Sequence, residues 1–305
     1  MLYTGAHDCG NGVTGAEALD LVKPMTDENT PALEGGALHQ FLFRKSIPLQ
    51  LRFQEVKRAV GDPDGMTCLE MGNDNGAFSF QLRRLGGDWH TVVRDTTTAA
   101  AVQELVATDV HVFDGKALPF AAKSFDLVVV GGGMEQATDE TTFIELFHRI
   151  LKPDGRVVVC VQRLKPFSLL NPLRHMLTPS DQDRDRRRIG REGYTEGELF
   201  RALKDGFDVH TMRSYSRIFV ELVDLLTAST LARHGGKPDD ATLARVHRRA
   251  YPFAWLAFQL DLLMFFTRGH RLVATAKRRA WLPRKTPILI DGRSISEAVL
   301  SSAVT

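Results

Sequence analysis

With 305 residues, 43% hydrophobic and 25% charged, the chain can bury one or two cores and has an ordinary soluble, globular composition. A formal net charge of +2 argues against wholesale nucleic-acid binding. The opening MLYTGAHDCGNGVTG lacks the basic start and apolar run of a signal peptide. The longest apolar run, Pro252 to Phe266, is interrupted by Asp261 and falls short of the roughly 20 residues that span a bilayer. Cys9, Cys68 and Cys160 form no pattern and two lie in strand-like runs, which fits a reduced, cytoplasmic protein.

Residues 1–36 are glycine-rich and polar and read as a loose leader. Ala37 to Val60 has the apolar spacing of a helix, with a break or kink at Pro48. After the turn cluster GDPDG at 61–65, strands and helices alternate. MTCLEMG is a strand, and AFSFQLRRLG a helix stopped at Gly86–Gly87. WHTVVRD is a strand, TTTAAAVQELVA a helix and VHVFD a short strand. SFDLVVVGGG is a buried strand, DETTFIELFHRILKP a helix ended by Pro153, and GRVVVCVQ another buried strand. Nearly all-apolar strands alternating with helices predict a parallel α/β sheet covered on both faces. Such sheets bind ligands beyond the carboxyl ends of their strands.

Beyond residue 163 the rhythm changes. GYTEGELFRALKDGF at 193–207 reads as a capped helix and turn, and FDVHTMRSYS as a strand. Arg217 to Arg233 and Thr242 to Phe266 are helical, joined by the linker GGKPDD, with an interruption expected at Pro252. GHRLVATAKRR alternates like a strand. The domain reading is a leader over 1–36, one domain over 37–280 and a partly disordered tail over 281–305.

The strand ends carry the chemistry. After the first strand come Glu70, Gly72, Asp74 and Gly76. Glycines let backbone approach a ligand, but two nearby carboxylates repel a phosphate. They suit a ligand with an ammonium and a sulfonium, and S-adenosylmethionine is such a cofactor. The dinucleotide spacing G-x-G-x-x-G is absent. Asp95, after the second strand, can accept from ribose hydroxyls, although Arg94 beside it competes for the inward position. Asp114–Gly115, after the third, can face an adenine amino group. Taken singly, each acid also reads as a helix cap or a solvated turn.

ExGxxxG at 70–76, Asp95, DGKALPF at 114–120, SFDLVVV at 124–130 and ELFHRILKPDGRVVV at 145–159 resemble class I SAM-dependent methyltransferases. The nearest subgroup holds the quinone, sterol and glycan methylating enzymes. The resemblance implies a Rossmann-like seven-stranded sheet of order 3-2-1-4-5-7-6, with strand seven antiparallel and residues 217–266 a helical insertion between strands six and seven. It also implies S-adenosylmethionine as cofactor and methyl transfer to an oxygen, nitrogen or carbon of a small-molecule, glycan or lipid-like acceptor. Glu70, Gly72, Asp74, Gly76, Asp95, Asp114, Gly115 and Gly131 are then its binding residues.

Two departures stand out. Asp74 replaces the family's middle glycine, and Glu135–Gln136 replaces its acid–histidine pair after a run of three glycines, Gly131 to Gly133. The readiest general base is missing, which a nucleophilic acceptor tolerates when positioning supplies the rate. The alternative is a catalytically degenerate, methyltransferase-like binding or scaffold protein. Candidate acid–base residues are Glu135 first, then Tyr194, His175 and His148, the last read as a packing residue. No His or Cys spacing suggests a metal site.

Between Arg245 and Lys285 stand ten Lys or Arg and one acid, Asp261, around the apolar run 252–266. Such a segment can lie peripherally on an anionic membrane. The preferred reading is that it packs on protein, over the active-site mouth or at a dimer contact.

Overall fold

The computed structural model describes residues 36–72, 76–106, 110–113, 117–137, 139–164, 191–233, 239–264 and 266–281, with 170, 173 and 176 singly between them. The leader before Gly36, the tail after Trp281, and Asp74, Asp114, Gly115 and His175 lie outside the described residues.

Seven strands form one sheet: β1 Thr67–Met71, β2 Asp88–Val93, β3 Val110–Val112, β4 Phe125–Val130, β5 Leu151–Gln162, β6 Phe207–Tyr215 and β7 Arg271–Arg278. Their order is β3-β2-β1-β4-β5-β7-β6. β1 to β5 pair in parallel, and β7 runs antiparallel to both β5 and β6. This is the Rossmann-like order and strand direction expected above.

Alternation along the central strands sorts their side chains onto two faces. Cys68, Leu127, Val129, Val158 and Cys160 pack against Phe53, Val56, Phe78 and Leu82. These come from α2 Ile47–Val60 and α3 Ala77–Arg83, and α1 Gly36–Lys45 precedes them. Leu69, Met71, Val128 and Val130 pack on the other side with Phe143, Phe147 and Leu199. Those belong to α5 Glu140–Ile150 and α6 Glu196–Leu203, while α4 Thr96–Val106 joins β2 to β3. Burial on both faces accounts for strands that are nearly continuous in Val and Leu. The thiols of Cys68 and Cys160 are buried, and burial pushes both up to about 12. Neither is poised as a nucleophile.

The break expected near Pro48 falls at Ser46, and Pro48 sits in the first turn of α2, where its missing N–H leaves no bond unmade. Two local features differ from the sequence reading. The helix before Pro153 ends at Ile150, and β5 begins at once, with an irregular register against β4 between Phe125 and Leu127. Pro252 does not interrupt its helix. Pro252 and Arg248 are both exposed, so the carbonyl that the proline leaves without a donor can be solvated.

The insertion between β6 and β7 is a helix pair, α7 Ile218–Arg233 and α8 Asp240–Leu263. Val220, Ala254, Ala257 and Phe258 pack with Ile47 of α2, and Ala244 packs with Leu38 and Leu42 of α1. Asp261 is buried, and its two carboxylate oxygens accept the backbone N–H groups of Phe219 and Val220, each at 3.0 Å. It thus supplies the donors at the start of α7 with acceptors that helix geometry cannot give them. The single acid in the apolar run is therefore a tertiary helix cap.

Candidate cofactor site

The sheet changes direction of growth between β1 and β4, and their carboxyl ends make the switch point. Glu70 reaches it fully buried from β1. Its Oε2 accepts from the Thr91 hydroxyl at 3.3 Å, and that hydroxyl accepts from Arg83 Nη1 at 3.0 Å. A Cβ on Gly72 would lie 2.5 Å from Glu70 Oε1, so only glycine lets the carboxylate sit against the turn. Gly76 serves differently. Its φ is +88°, and a Cβ there would lie 2.9 Å from the Val102 Cα, so it lets the start of α3 meet α4.

The β4 end is as crowded. Gly131 donates its N–H to the Met71 carbonyl at 3.0 Å, and a Cβ on it would lie 2.7 Å from Arg52 Nη2. Gly133 has φ +93°, and its carbonyl accepts from Arg94 Nη2 at 2.8 Å. Arg94 is half-buried and crosses from the β2 end to the β4 loop. Burial lowers its pKa and the Glu135 charge opposes the shift. Asp95 is exposed: its Oδ1 accepts from the Thr98 N–H at 2.7 Å and its Oδ2 from the Thr98 hydroxyl at 2.8 Å. It caps α4, and a carboxylate so engaged keeps further lone pairs for a ligand.

The acid–base candidates separate into two places. Glu135 lies on a 3-10 turn, Met134–Gln136. Its Oε1 accepts from the Gln162 N–H and its carbonyl from the Arg191 N–H, each at 2.7 Å. Tyr194 is fully buried, donates to the Met134 carbonyl at 3.3 Å, and carries the Arg191 guanidinium 4.6 Å from its ring centroid. Burial, then the Glu140 charge, raises its pKa, so the phenol keeps its proton. Glu135 and Tyr194 therefore meet around one turn. His148 stands at the opposite end of the strands, with Nε2 on the Arg279 carbonyl at 2.7 Å and its ring against Phe207 and Trp281. Burial lowers its pKa, and packing is its role.

Arg94, read from the sequence as the competitor of Asp95 for the inward position, reaches the cleft, and so does Arg52, which the sequence did not mark. Arg52 gives no signal because it precedes the motif on a separate helix. The triple glycine was the available clue, since Gly131 and Gly133 are small where those two guanidinium groups approach.

Residues 69–159 match the family described as a methyltransferase domain. With the strand order and the glycine turn at β1, this region has the features of a class I methyltransferase domain. Among similar proteins are the demethylmenaquinone methyltransferase of Lactococcus lactis, 30% identical over 38% of this chain and 48% of that protein, and the ubiquinone/menaquinone biosynthesis C-methyltransferase UbiE of Enterobacter, 25% identical over 56% and 74%. The chain thus spans about half the length of the first and three quarters of the second. In fold it is similar to the [4+2]-cyclase SpnF, with TM-score 0.51, 15% identity and coverage of 76% and 82%. Geranyl diphosphate C-methyltransferase of Streptomyces coelicolor is similar too, with TM-score 0.50, 15% identity and 75% of each chain covered.

The site fits the cofactor on its own chemistry. A buried carboxylate at β1 can face a cationic group, and Gly72 and Gly131 are held small by side chains that close on them.

Proposed function

We propose that the protein is a methyltransferase acting on a lipid-like small molecule, with a quinol-type ring the acceptor that the named relatives suggest. The carrying observation is the fully buried Glu70 beside glycines without room for a side chain, at the switch point of this sheet. S-adenosylmethionine supplies an electrophilic methyl on a sulfonium. Glu70 provides negative potential for its cationic end, and we assign Asp74 the same role. Gly72, Gly76 and Gly131 shape the pocket, Asp95 takes the ribose, and Asp114–Gly115 the adenine. Because attack on that methyl is in-line, the chain's main task is to position the acceptor.

Glu135 is the carboxylate we assign to proton acceptance. One of its oxygens is fixed by the Gln162 N–H, and its remaining lone pairs can receive a proton from an acceptor hydroxyl. Tyr194 then acts as a positioning residue, holding the Met134 turn. Glu135→Gln should lower kcat about a hundredfold while leaving S-adenosylhomocysteine affinity unchanged. Equal kcat removes Glu135 from the chemistry.

Acceptor choice falls to the insertion 217–266 and the segment 165–195. α8 presents a continuous side at i+3 and i+4 spacing: Arg245 and Arg249, then Phe253, Leu256, Leu260 and Leu263. The four apolar members are between 38% and 70% exposed. Among the described residues no helix is long and apolar enough to cross a membrane. The same side, basic at one end and apolar at the other, suits peripheral contact with an anionic lipid surface.

The second reading is a binding protein that keeps the fold without turnover, favoured by the Arg94 contact across the cleft to Gly133. Calorimetric titration with S-adenosylhomocysteine and with NAD, followed by mass spectrometry of quinone and lipid pools after incubation with labelled methyl donor, separates the cases. Binding of S-adenosylhomocysteine with transfer supports the enzyme, binding without transfer the second reading, and binding of NAD alone overturns both.

A further inference from the structure

The face of the sheet under α2 and α3 gathers two opposite charges at the switch point. By alternation, Cys68 and Glu70 on β1 and Leu127 and Val129 on β4 point to this face. Glu70 stands directly opposite Val129 in the parallel register, so Gly131 follows one step along the same face. The space that a Gly131 side chain would fill is taken by Arg52 of α2, with Nη2 2.7 Å and Cζ 3.6 Å from the Cβ position. The Arg52 guanidinium lies over the Phe78 ring at 4.3 Å from its centroid. Its charge also acts on the Cys160 thiol and the Tyr215 hydroxyl, both near the carboxyl ends of their strands. The guanidinium is thus seated at the ends of β1 and β4, by a ring on one side and a glycine on the other.

An amino-acid zwitterion needs such a pair. Its ammonium calls for a carboxylate, while the same carboxylate repels the zwitterion's own negative end unless a cation stands close by. A planar guanidinium can meet that end with two parallel hydrogen bonds.

We infer that Arg52 is the counter-ion for the α-carboxylate of the cofactor's methionine end, with Glu70 providing for its ammonium end. The inference rests on the SAM reading of the cleft. It also gives the unusual Gly131 a reason, since any side chain there displaces the guanidinium.

The test is calorimetry with two probes, S-adenosylhomocysteine and 5′-methylthioadenosine, which keeps the adenosine and thioether but lacks the amino-acid end. Wild type, Arg52→Gln and Arg52→Lys are compared. Loss of a charged hydrogen-bond partner should weaken S-adenosylhomocysteine binding to Arg52→Gln by about ten- to a hundredfold. 5′-Methylthioadenosine binding should stay unchanged, which also reports that the variant is folded. Arg52→Lys should recover part of the loss. Unchanged S-adenosylhomocysteine affinity in Arg52→Gln, or an equal loss for both probes, overturns the assignment while the cofactor reading stands. Failure of wild type to bind S-adenosylhomocysteine overturns both.

Discussion

The carboxyl edge of the sheet and the α7–α8 insertion are built in opposite ways. At the edge, side chains are removed: Gly72, Gly76 and Gly131 each stand where a Cβ would strike a neighbour at under 3.0 Å. Charged groups close on Gly72 and Gly131, and Val102 closes on Gly76. In the insertion, apolar bulk is added on two sides of α8. One side packs through Ala254, Ala257 and Phe258, and the other carries Phe253, Leu256, Leu260 and Leu263 outward. Asp261 is buried where α8 meets the start of α7, and its carboxylate serves the backbone. The edge is specified by what cannot be larger, and the insertion by which side of a helix is covered.

The sharpest break of the comparison is within α8. Phe258→Ala empties a buried position and should cost about 3–4 kcal/mol, seen as a lower midpoint in denaturant with the slope preserved. A loss under about 1 kcal/mol would mean that α8 does not pack as described.

Next in size is the ionic anchor that ties the insertion to the sheet. Arg271 of β7 donates to Glu221 at 2.6 Å and to Asp224 at 2.8 Å, both on α7. Burial works to raise the Glu221 carboxyl, but the Arg271 charge and hydrogen bond outweigh it and hold the pKa below its ordinary 4.5. The folded chain therefore binds fewer protons at this site than the unfolded chain. The stability it adds is complete above pH 4.5 and is lost as pH falls through the depressed folded value. Glu221→Gln should cost about 3 kcal/mol at neutral pH and flatten the acid limb of the stability curve. An unchanged acid limb would show that Glu221 is not the titrating group.

Asp261 has the opposite sign. Burial raises its pKa, against the pull of the two N–H groups it accepts. Its favourable contribution is therefore complete below the ordinary 3.8 and declines as pH rises through the raised folded value. Asp261→Ala strands two helix donors and should cost about 2 kcal/mol. Asp261→Asn keeps an acceptor without the buried charge and should cost less. If both variants lose equally, the charge, not the cap, holds α7.

How much of this was legible follows the same division. The sheet was readable because SFDLVVV and GRVVVCV are apolar on both faces, which only a covered parallel strand requires. Glu70, Gly72 and Gly76 were readable because one continuous turn carries them. Arg52 was not, since its meaning depends on a helix folding back over β4. The role of Asp261 was equally hidden: the acid looked like a flaw in an apolar run until its partners, 41 and 42 residues earlier in sequence, came into contact. Pro252 misled for a related reason, because exposure decides whether a proline breaks a helix. The packing role read for α8 describes one of its sides, and the outward side needed coordinates to separate from it.

The smallest stability effect carries the most functional weight. Phe253 is 67% and Leu263 70% exposed, so replacing both with Ser should change stability by under about 0.5 kcal/mol per site. Sedimentation with vesicles containing phosphatidylglycerol should nevertheless lose bound protein, because each side chain removed takes apolar area out of the lipid contact. Arg245→Gln with Arg249→Gln should weaken the same binding at low salt and matter less at high salt, as expected when headgroup attraction is screened. Neutral vesicles should bind less than anionic ones. If wild type sediments with neither, the outward side of α8 has another occupant, and a dimer that dissociates on the Phe253 and Leu263 changes would identify it as a second copy of this chain.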